Sequence, residues 1–322
     1  MLSYRFPGEE IVRVNGDFIE VDNFDIQGFI ITDFNQKKKY VFKEAAPQKA
    51  KQAALPFCID EAAYLKQATQ LIKDLNRGIA DKIVFSRIKE VELGSTSPEE
   101  LFERMLKAYP QALVYYFHDT CLGSWLGASP EILLEKTPSA FRTMALAGTK
   151  LAGENRDFTH KEYNEHALVT EFIEGQLKQI PGAQLQVSAL SEYSQGPVTH
   201  LLQELTWQMP QSTLPLLLKY LHPTPAVAGL PQKVAVQYIN ALETHDRALY
   251  TGIIGNLRVG HEKLFVNLRC AQVQEGKLYI YVGGGFTPDS VAEQEWQETE
   301  NKSKTLLQLL WNAVNLPHAK QR

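Results

Sequence analysis

Apolar and polar positions change period several times along the chain, and each change marks an element. DEAAYLKQATQLIKDL, residues 60–75, carries apolar side chains at helical spacing and runs out just before Gly78, which predicts a helix. DKIVFSRIKEVEL, residues 81–93, then reads as a strand. Helix before strand recurs in SPEELFERMLKAY, with Ser97 as its cap, and ALVYYF. Short apolar runs follow at 125–126, 131–134 and 141–146, broken by GASP and AGTK. A long helix is predicted over 157–180, then the strands AQLQVSA and HLLQELTWQM and a helix at PQKVAVQYINALE. ALYTGIIGNLRV, KLFVNLRCAQV and KLYIYVGGGF read as three more strands. DSVAEQEWQETENKSKTLLQLLW closes the pattern as an amphipathic helix capped near Asp289 or Ser290.

In EEIVRVNGDFIEV the pair Asn15-Gly16 sits between alternating segments and predicts a hairpin, with GFIITDF as a further strand. KEAAPQKAKQAA, residues 43–54, is a polar, Ala-rich joint that fits a linker, a loop or a frayed helix. Strands come in consecutive groups with hairpin-length gaps such as QEGK, residues 274–277. That grouping predicts an α+β fold on antiparallel or mixed sheets rather than a doubly wound parallel sheet. A chain of 322 residues fits one continuous core, and a single domain is the expectation.

Composition adds exclusions. With 44% apolar and 22% charged residues the chain is globular, and a net charge of -4 gives no electrostatic reason for nucleic acid or an anionic membrane as partner. Cys58, Cys121 and Cys270 are far apart and lack CxxC spacing, so neither a disulfide framework nor a thiolate zinc site is expected. MLSYRFPGEE has no basic region followed by an apolar one, and no segment is long enough to span a bilayer, which predicts a cytoplasmic protein.

Two stretches carry candidate chemistry. KEYNEHALVTEF stacks Glu162 and Glu165 at i, i+3 on one helix, and EWQETENK does the same with Glu295 and Glu298. Either pair alone also fits a solvated helix face. If the two helices face each other across a pocket, carboxylates ~5 Å apart repel by roughly 3 kcal/mol at an effective dielectric of about 20. Either their pKa values rise or a cation sits among them. Hard oxygen donors without a matching His or Cys point to Mg²⁺, and zinc is the weaker reading because His160 and His166 lie on different helix faces.

An ordered series of motifs resembles the chorismate-utilising enzymes, the isochorismate, salicylate, anthranilate and aminodeoxychorismate synthases. The series is DKIVFSR, GASPE, LAGT, KEYNEH, HPTPAVAG, NLRCA, VGGGF and EWQETENK, and it covers about residues 60–310. HPTPAVAG is similar to the isochorismate synthase version of its motif, and Lys82 matches the isochorismate and salicylate branches where anthranilate synthases carry glutamine. Ala147 stands where aminodeoxychorismate synthases commonly have lysine, which argues against amination.

The resemblance implies large antiparallel or mixed sheets packed as a two-layer core with helices outside, residues 1–55 being a shortened N-terminal part that completes the sheet and 56–322 the motif-bearing core. It implies Mg²⁺-dependent conversion of chorismate to isochorismate, without an obligate glutaminase subunit and as a monomer. Lys82 then matches the base that activates water and Glu131 the acid that protonates the departing hydroxyl. Desolvation in a closed pocket moves a lysine and a glutamate in the directions those roles require. Glu165 and Glu298 match direct metal ligands, with Glu162 and Glu295 acting through bound waters. Arg269 and Tyr250 match the receivers of the enolpyruvyl carboxylate, Gly283, Gly284 and Gly285 a close backbone approach, and Thr149 and Lys302 further polar contacts. Two rivals remain: a salicylate synthase, which goes on to eliminate pyruvate, and a non-catalytic chorismate-binding homologue. Whether the product feeds menaquinone, siderophore or salicylate synthesis is not written in the chain.

Overall fold

The computed structural model describes residues 1–44, 54–195, 198–208 and 214–311. The chain begins with five strands, β1 (Leu2–Arg5), β2 (Val12–Val14), β3 (Asp17–Val21), β4 (Gly28–Thr32) and β5 (Lys39–Lys43). Then come α1 (Glu61–Asn76), β6 (Lys82–Glu92), α2 (Pro98–Ala108), β7 (Leu113–Asp119), β8 (Gly123–Ser129), β9 (Ile132–Lys136), β10 (Phe141–Leu151) and α3 (His160–Leu177). The remainder is β11 (Gln186–Val187), β12 (Ser191–Gln195), β13 (Val198–Trp207), α4 (Leu214–Leu221), β14 (Gly229–Leu230), α5 (Gln232–Leu242), β15 (Ile253–Leu257), β16 (Lys263–Val266), β17 (Cys270–Gln274), β18 (Lys277–Phe286) and α6 (Ala292–Trp311).

These strands make two sheets. The first has eight strands in the order β14-β6-β18-β17-β8-β7-β1-β2; the second follows β11-β13-β10-β9-β16-β15-β4-β5-β3, with β12 also on β13. All pairings among the described strands are antiparallel, as the grouping of strands in the sequence predicts. Residues 1–44 add β1 and β2 to the first sheet and β3, β4 and β5 to the second.

Side-chain alternation explains the layering. Along β18, Tyr279 and Tyr281 join Trp125, Phe117, Phe265 and Ile254 in a core that both sheets share, whereas Leu278, Ile280 and Val282 meet Phe102 of α2 and Leu306 of α6. On the far side, Val169 and Ile173 of α3 and Leu217 of α4 cover the second sheet. Each fully buried Leu, Ile or Phe contributes roughly 1.5–3 kcal/mol, so both faces of both sheets are held by apolar filling. Capping boxes fix two helix starts, Ser97 with Glu100 and Thr159 with Glu162.

The turn at Gln274–Lys277 forms as expected, with Glu275 and Gly276 both at positive φ (52° and 75°), the geometry of a type I′ hairpin. Asn15-Gly16 does not form the predicted hairpin. β2 pairs with β1 and β3 with β5, so the chain changes sheet at this dipeptide. Gly16 is needed there for close approach, because an added Cβ would overlap the Lys43 carbonyl oxygen. The predicted strand AQLQVSA shrinks to the two exposed residues of β11, and β12 and α4 arise where no element was expected. The polar joint over 43–54 lies largely outside the described residues. Among the described residues no helix is long and apolar enough to cross a membrane.

Candidate active site

Two passages between the sheets build the site. From β8 to β9 the chain leaves the first sheet through Pro130 and Glu131; from β16 to β17 it returns through Leu268 and Arg269. All four residues line one cavity of about 110 Å³, together with Val84 and Gly283, Gly284 and Gly285 of the first sheet and Thr149, Val198 and His200 of the second. Asn267 ties this region together: its amide nitrogen donates to the Leu249 carbonyl at 2.8 Å and its amide oxygen accepts from the Tyr115 hydroxyl at 2.8 Å. Arg269 stands in the left-handed region (φ 48°), a backbone state that costs of order 1–3 kcal/mol and is sustained by its surroundings.

Glu131 is 3% exposed, and burial pushes its carboxyl up to about 8, with nearby Lys82 and the Thr224 hydroxyl acting weakly in the opposite direction. It is therefore protonated at neutral pH. Lys82, fully buried at the start of β6, does not itself line the cavity but lies behind Gly285, where an added Cβ would come within 2.7 Å of its Cε. Its ammonium donates to Glu165 at 2.7 Å, and Glu165 does line the cavity.

Arg269 and Thr149 are joined by a residue that sequence reasoning missed. The guanidinium donates to His200 Nε2 at 2.9 Å, and His200 Nδ1 lies 3.0 Å from the Thr149 hydroxyl. Arginine only donates, so Nε2 must be the bare nitrogen and Nδ1 carries the proton. Burial, with the charges of Arg269 and Lys302, drives the imidazole well below its usual range and keeps it neutral. The signal was present: His200 shares a strand face with Val198 in VTHLLQEL, a polar residue on an inward position. Tyr250 lies across from it, its ring 5.6 Å from that of Tyr281 and its hydroxyl within 3.2 Å of a Cβ added to Gly283.

The two helices face each other across a pocket, which the spacing within each helix left open. Glu162 and Glu165 of α3 and Glu295 and Glu298 of α6 line a second cavity of about 350 Å³, which shares Thr149, Glu165, Val198 and Lys302 with the first. Beyond raised pKa values or a metal, a further solution to the charge problem is in place: each carboxylate has its own basic partner. Arg156 grips Glu162 with two hydrogen bonds of 2.9 Å, Lys82 holds Glu165, Lys161 reaches Glu295 at 2.5 Å and Lys302 reaches Glu298 at 2.7 Å. Lys302 also donates to the Gly283 carbonyl at 2.9 Å. Burial would raise Glu165, but Lys82 holds it below the usual carboxylate range. Glu295 is pushed up to about 7 by burial and then by Glu298, with Lys161 opposing.

Among the described residues no three acidic, imidazole or thiol groups converge on one point. The donor set nevertheless fits a hard divalent cation. Four carboxylates face one polar cavity, and Glu295 Oε2, on a residue 1% exposed, has no hydrogen-bond partner. Two glycines leave room for this cluster: a Cβ on Gly284 would lie 2.9 Å from Glu295 Oε2, and one on Gly285 2.6 Å from Glu165 Oε1. His166 points elsewhere, toward the Gln203 side chain at 3.2 Å.

Comparison with known proteins bears on the family and the fold. The family model described as chorismate binding enzyme matches residues 21–311. The isochorismate synthase EntC of Escherichia coli K12 is 32% identical over 70% of this chain, and MenF of the same organism 33% identical over 75%. Those matches span 61% and 60% of the two relatives' lengths. Among solved structures, E. coli MenF superposes with a TM-score of 0.80 at 21% identity, covering 96% of this chain and 88% of that one. Anthranilate synthase component I of Streptococcus pneumoniae gives 0.72 at 17% identity, covering 95% of this chain and 89% of that one. With the family model spanning nearly the whole chain and the site residues gathered where the motifs meet, the protein belongs to the chorismate-binding enzyme family.

Proposed function

We propose that the protein is an isochorismate synthase working as one catalytic unit, which adds water at C2 of chorismate as the C4 hydroxyl departs and the ring double bonds shift. The observation that carries this reading is the pairing of a buried, protonated Glu131, which lines the first cavity, with a buried Lys82 behind Gly285, where that cavity adjoins the one lined by four carboxylates. Hydroxide is a poor leaving group until protonated, and water a poor nucleophile until it loses a proton. Lys82, after its ammonium has given up a proton to solvent, takes the proton of the attacking water and Glu131 gives one to the departing oxygen, so one water enters, one leaves, and the net reaction is an isomerisation.

Arg269 and Tyr250 receive the enolpyruvyl carboxylate, the guanidinium as a fork and the phenol as a donor. His200, neutral and hydrogen-bonded on both nitrogens, sets Arg269 and Thr149 in fixed relation. Glu165 and Glu298 would hold a magnesium ion directly, with Glu162 and Glu295 behind them; when bound, the ion supplies positive charge that offsets the ring carboxylate against the acidic cluster. The bidentate grip of Arg156 on Glu162 suits that more distant part.

The test is incubation of purified protein with chorismate, with and without Mg²⁺, and chromatographic identification of the product. Isochorismate formed only with the metal is expected. Salicylate and pyruvate would replace this reading with that of a salicylate synthase, and binding without conversion would overturn it.

A further inference from the structure

β6 loses one of its two neighbours near its start. β14 pairs only Gly229 with Ile83 and Leu230 with Lys82, after which the Val84 amide donates to the Ala228 carbonyl at 2.8 Å and the strand ends. Beyond this point the edge of β6 would present buried backbone groups with no ladder to join. Two side chains continue the ladder. Arg247 Nη2 donates to the Val84 carbonyl at 2.9 Å, and Glu243 Oε1 accepts the Ser86 amide at 2.8 Å.

The pair is itself closed. Arg247 donates Nε to Glu243 Oε2 at 2.8 Å and Nη2 to Oε1 at 2.7 Å. Nη1 donates to the Val227 carbonyl at 2.8 Å and lies 3.4 Å from the Thr251 hydroxyl. Both side chains are 3% exposed, so the charges are desolvated and every guanidinium hydrogen is directed. The Arg247 carbonyl also accepts the Tyr250 amide at 2.8 Å. Val84, Val227 and Tyr250 all line the cavity, and Lys82 stands two residues before Val84 on the same strand.

We propose that Arg247, locked by Glu243, is a positioning residue for the reaction: it replaces the absent strand beside β6 and fixes the strand of Lys82 against the loop of Val227 and the turn of Tyr250. This rests on the functional reading above. Lysine has one charged centre and three donors, and it cannot span a carboxylate and two carbonyls at once. Misplacement of reacting groups by about 1 Å can lower rate on the order of 10²-fold.

The experiment compares Arg247→Lys with the unchanged protein and with Arg5→Lys, a control whose guanidinium caps the Leu106 and Tyr109 carbonyls and lines neither cavity. Arg247→Lys is expected to lower kcat on the order of 10²-fold with a much smaller change in KM, and to speed amide hydrogen exchange in peptides covering 82–86 and 226–230. Arg5→Lys leaves kcat unchanged. In Arg247→Ala, millimolar guanidinium restores part of kcat and an equal concentration of sodium does not. Should that variant fail to fold, Glu243→Gln carries the same kcat and exchange measurements. Unchanged kcat per folded molecule in Arg247→Lys, or a fall matched by Arg5→Lys, overturns the proposal. If the unchanged protein is inert toward chorismate, the functional reading has failed; exchange alone then decides, acceleration supporting the positioning role and its absence overturning it.

Discussion

Replacing Glu131 by Gln separates the acid's chemical role from its energetic cost. In the unfolded chain a glutamate titrates near its ordinary 4.5, whereas burial holds the folded carboxyl up to about 8. Below pH 4.5 both states are protonated and the site costs nothing. Between 4.5 and 8 the unfolded chain gives up a proton that the folded one keeps, so stability falls as pH rises. At 1.36 kcal/mol per pH unit the full gap is worth about 5 kcal/mol above pH 8, and little of it is screened because the side chain is 3% exposed. Glutamine has nearly the same shape and no ionisation to suppress. Glu131→Gln is therefore expected to unfold at nearly the same urea concentration as the unchanged protein at pH 5 and to outlast it increasingly toward pH 9. The same variant loses turnover, because an amide cannot deliver the proton. The unchanged protein's kcat should fall as pH rises through about 8. A stability difference that stays flat from pH 5 to 9 would refute the claim that the fold holds this carboxyl protonated.

Other expectations follow from the same site. Lys82→Ala should lower kcat by roughly 10²–10⁴, the usual share of a proton acceptor, while chorismate binding measured by calorimetry persists; normal turnover would remove Lys82 from that role. Glu165→Ala and Glu298→Ala should weaken Mg²⁺ binding in a calorimetric titration without substrate, and an unchanged isotherm would refute the metal assignment. Gly285→Ala puts a Cβ 2.6 Å from Glu165 Oε1 and 2.7 Å from Lys82 Cε, so kcat should drop while the melting temperature moves by a few degrees; equal kcat would show that both side chains give way freely.

Much of the fold was legible because periodicity reports which face of an element is buried, and α1, β6, α2 and β18 sit within a residue or two of their expected bounds. Periodicity says nothing about which edge pairs with which. Asn15-Gly16 carries perfect hairpin chemistry, yet the strands it joins belong to different sheets, since the choice of partner depends on β1 and β5 rather than on the dipeptide. LPLLLKYL of α4 buries Leu214, Leu217, Leu218 and Leu221 at helical spacing, but with Leu216 among them and only eight residues the stripe is hard to tell from a short apolar run.

The site divides along the same line. Two glutamates at i, i+3 repel on an isolated helix, but either pair alone also fits a solvated face, and it was the ordered series of motifs around them that singled them out. The groups that relieve the repulsion were less legible. Arg156 and Lys161 read as ordinary surface cations, although Lys161 meets its carboxylate across a separation of 134 residues; Lys302, four residues from Glu298 on the same helix, was visible only through the motif series. Arg247 is hidden the same way, since its i, i+4 pairing with Glu243 resembles a solvated helix pair until the bare edge of β6 is known. Local pairs relieve Glu162 and Glu298, whereas Glu165 and Glu295 are relieved by Lys82 and Lys161 from 83 and 134 residues away, contacts that emerge only once the sheets have closed.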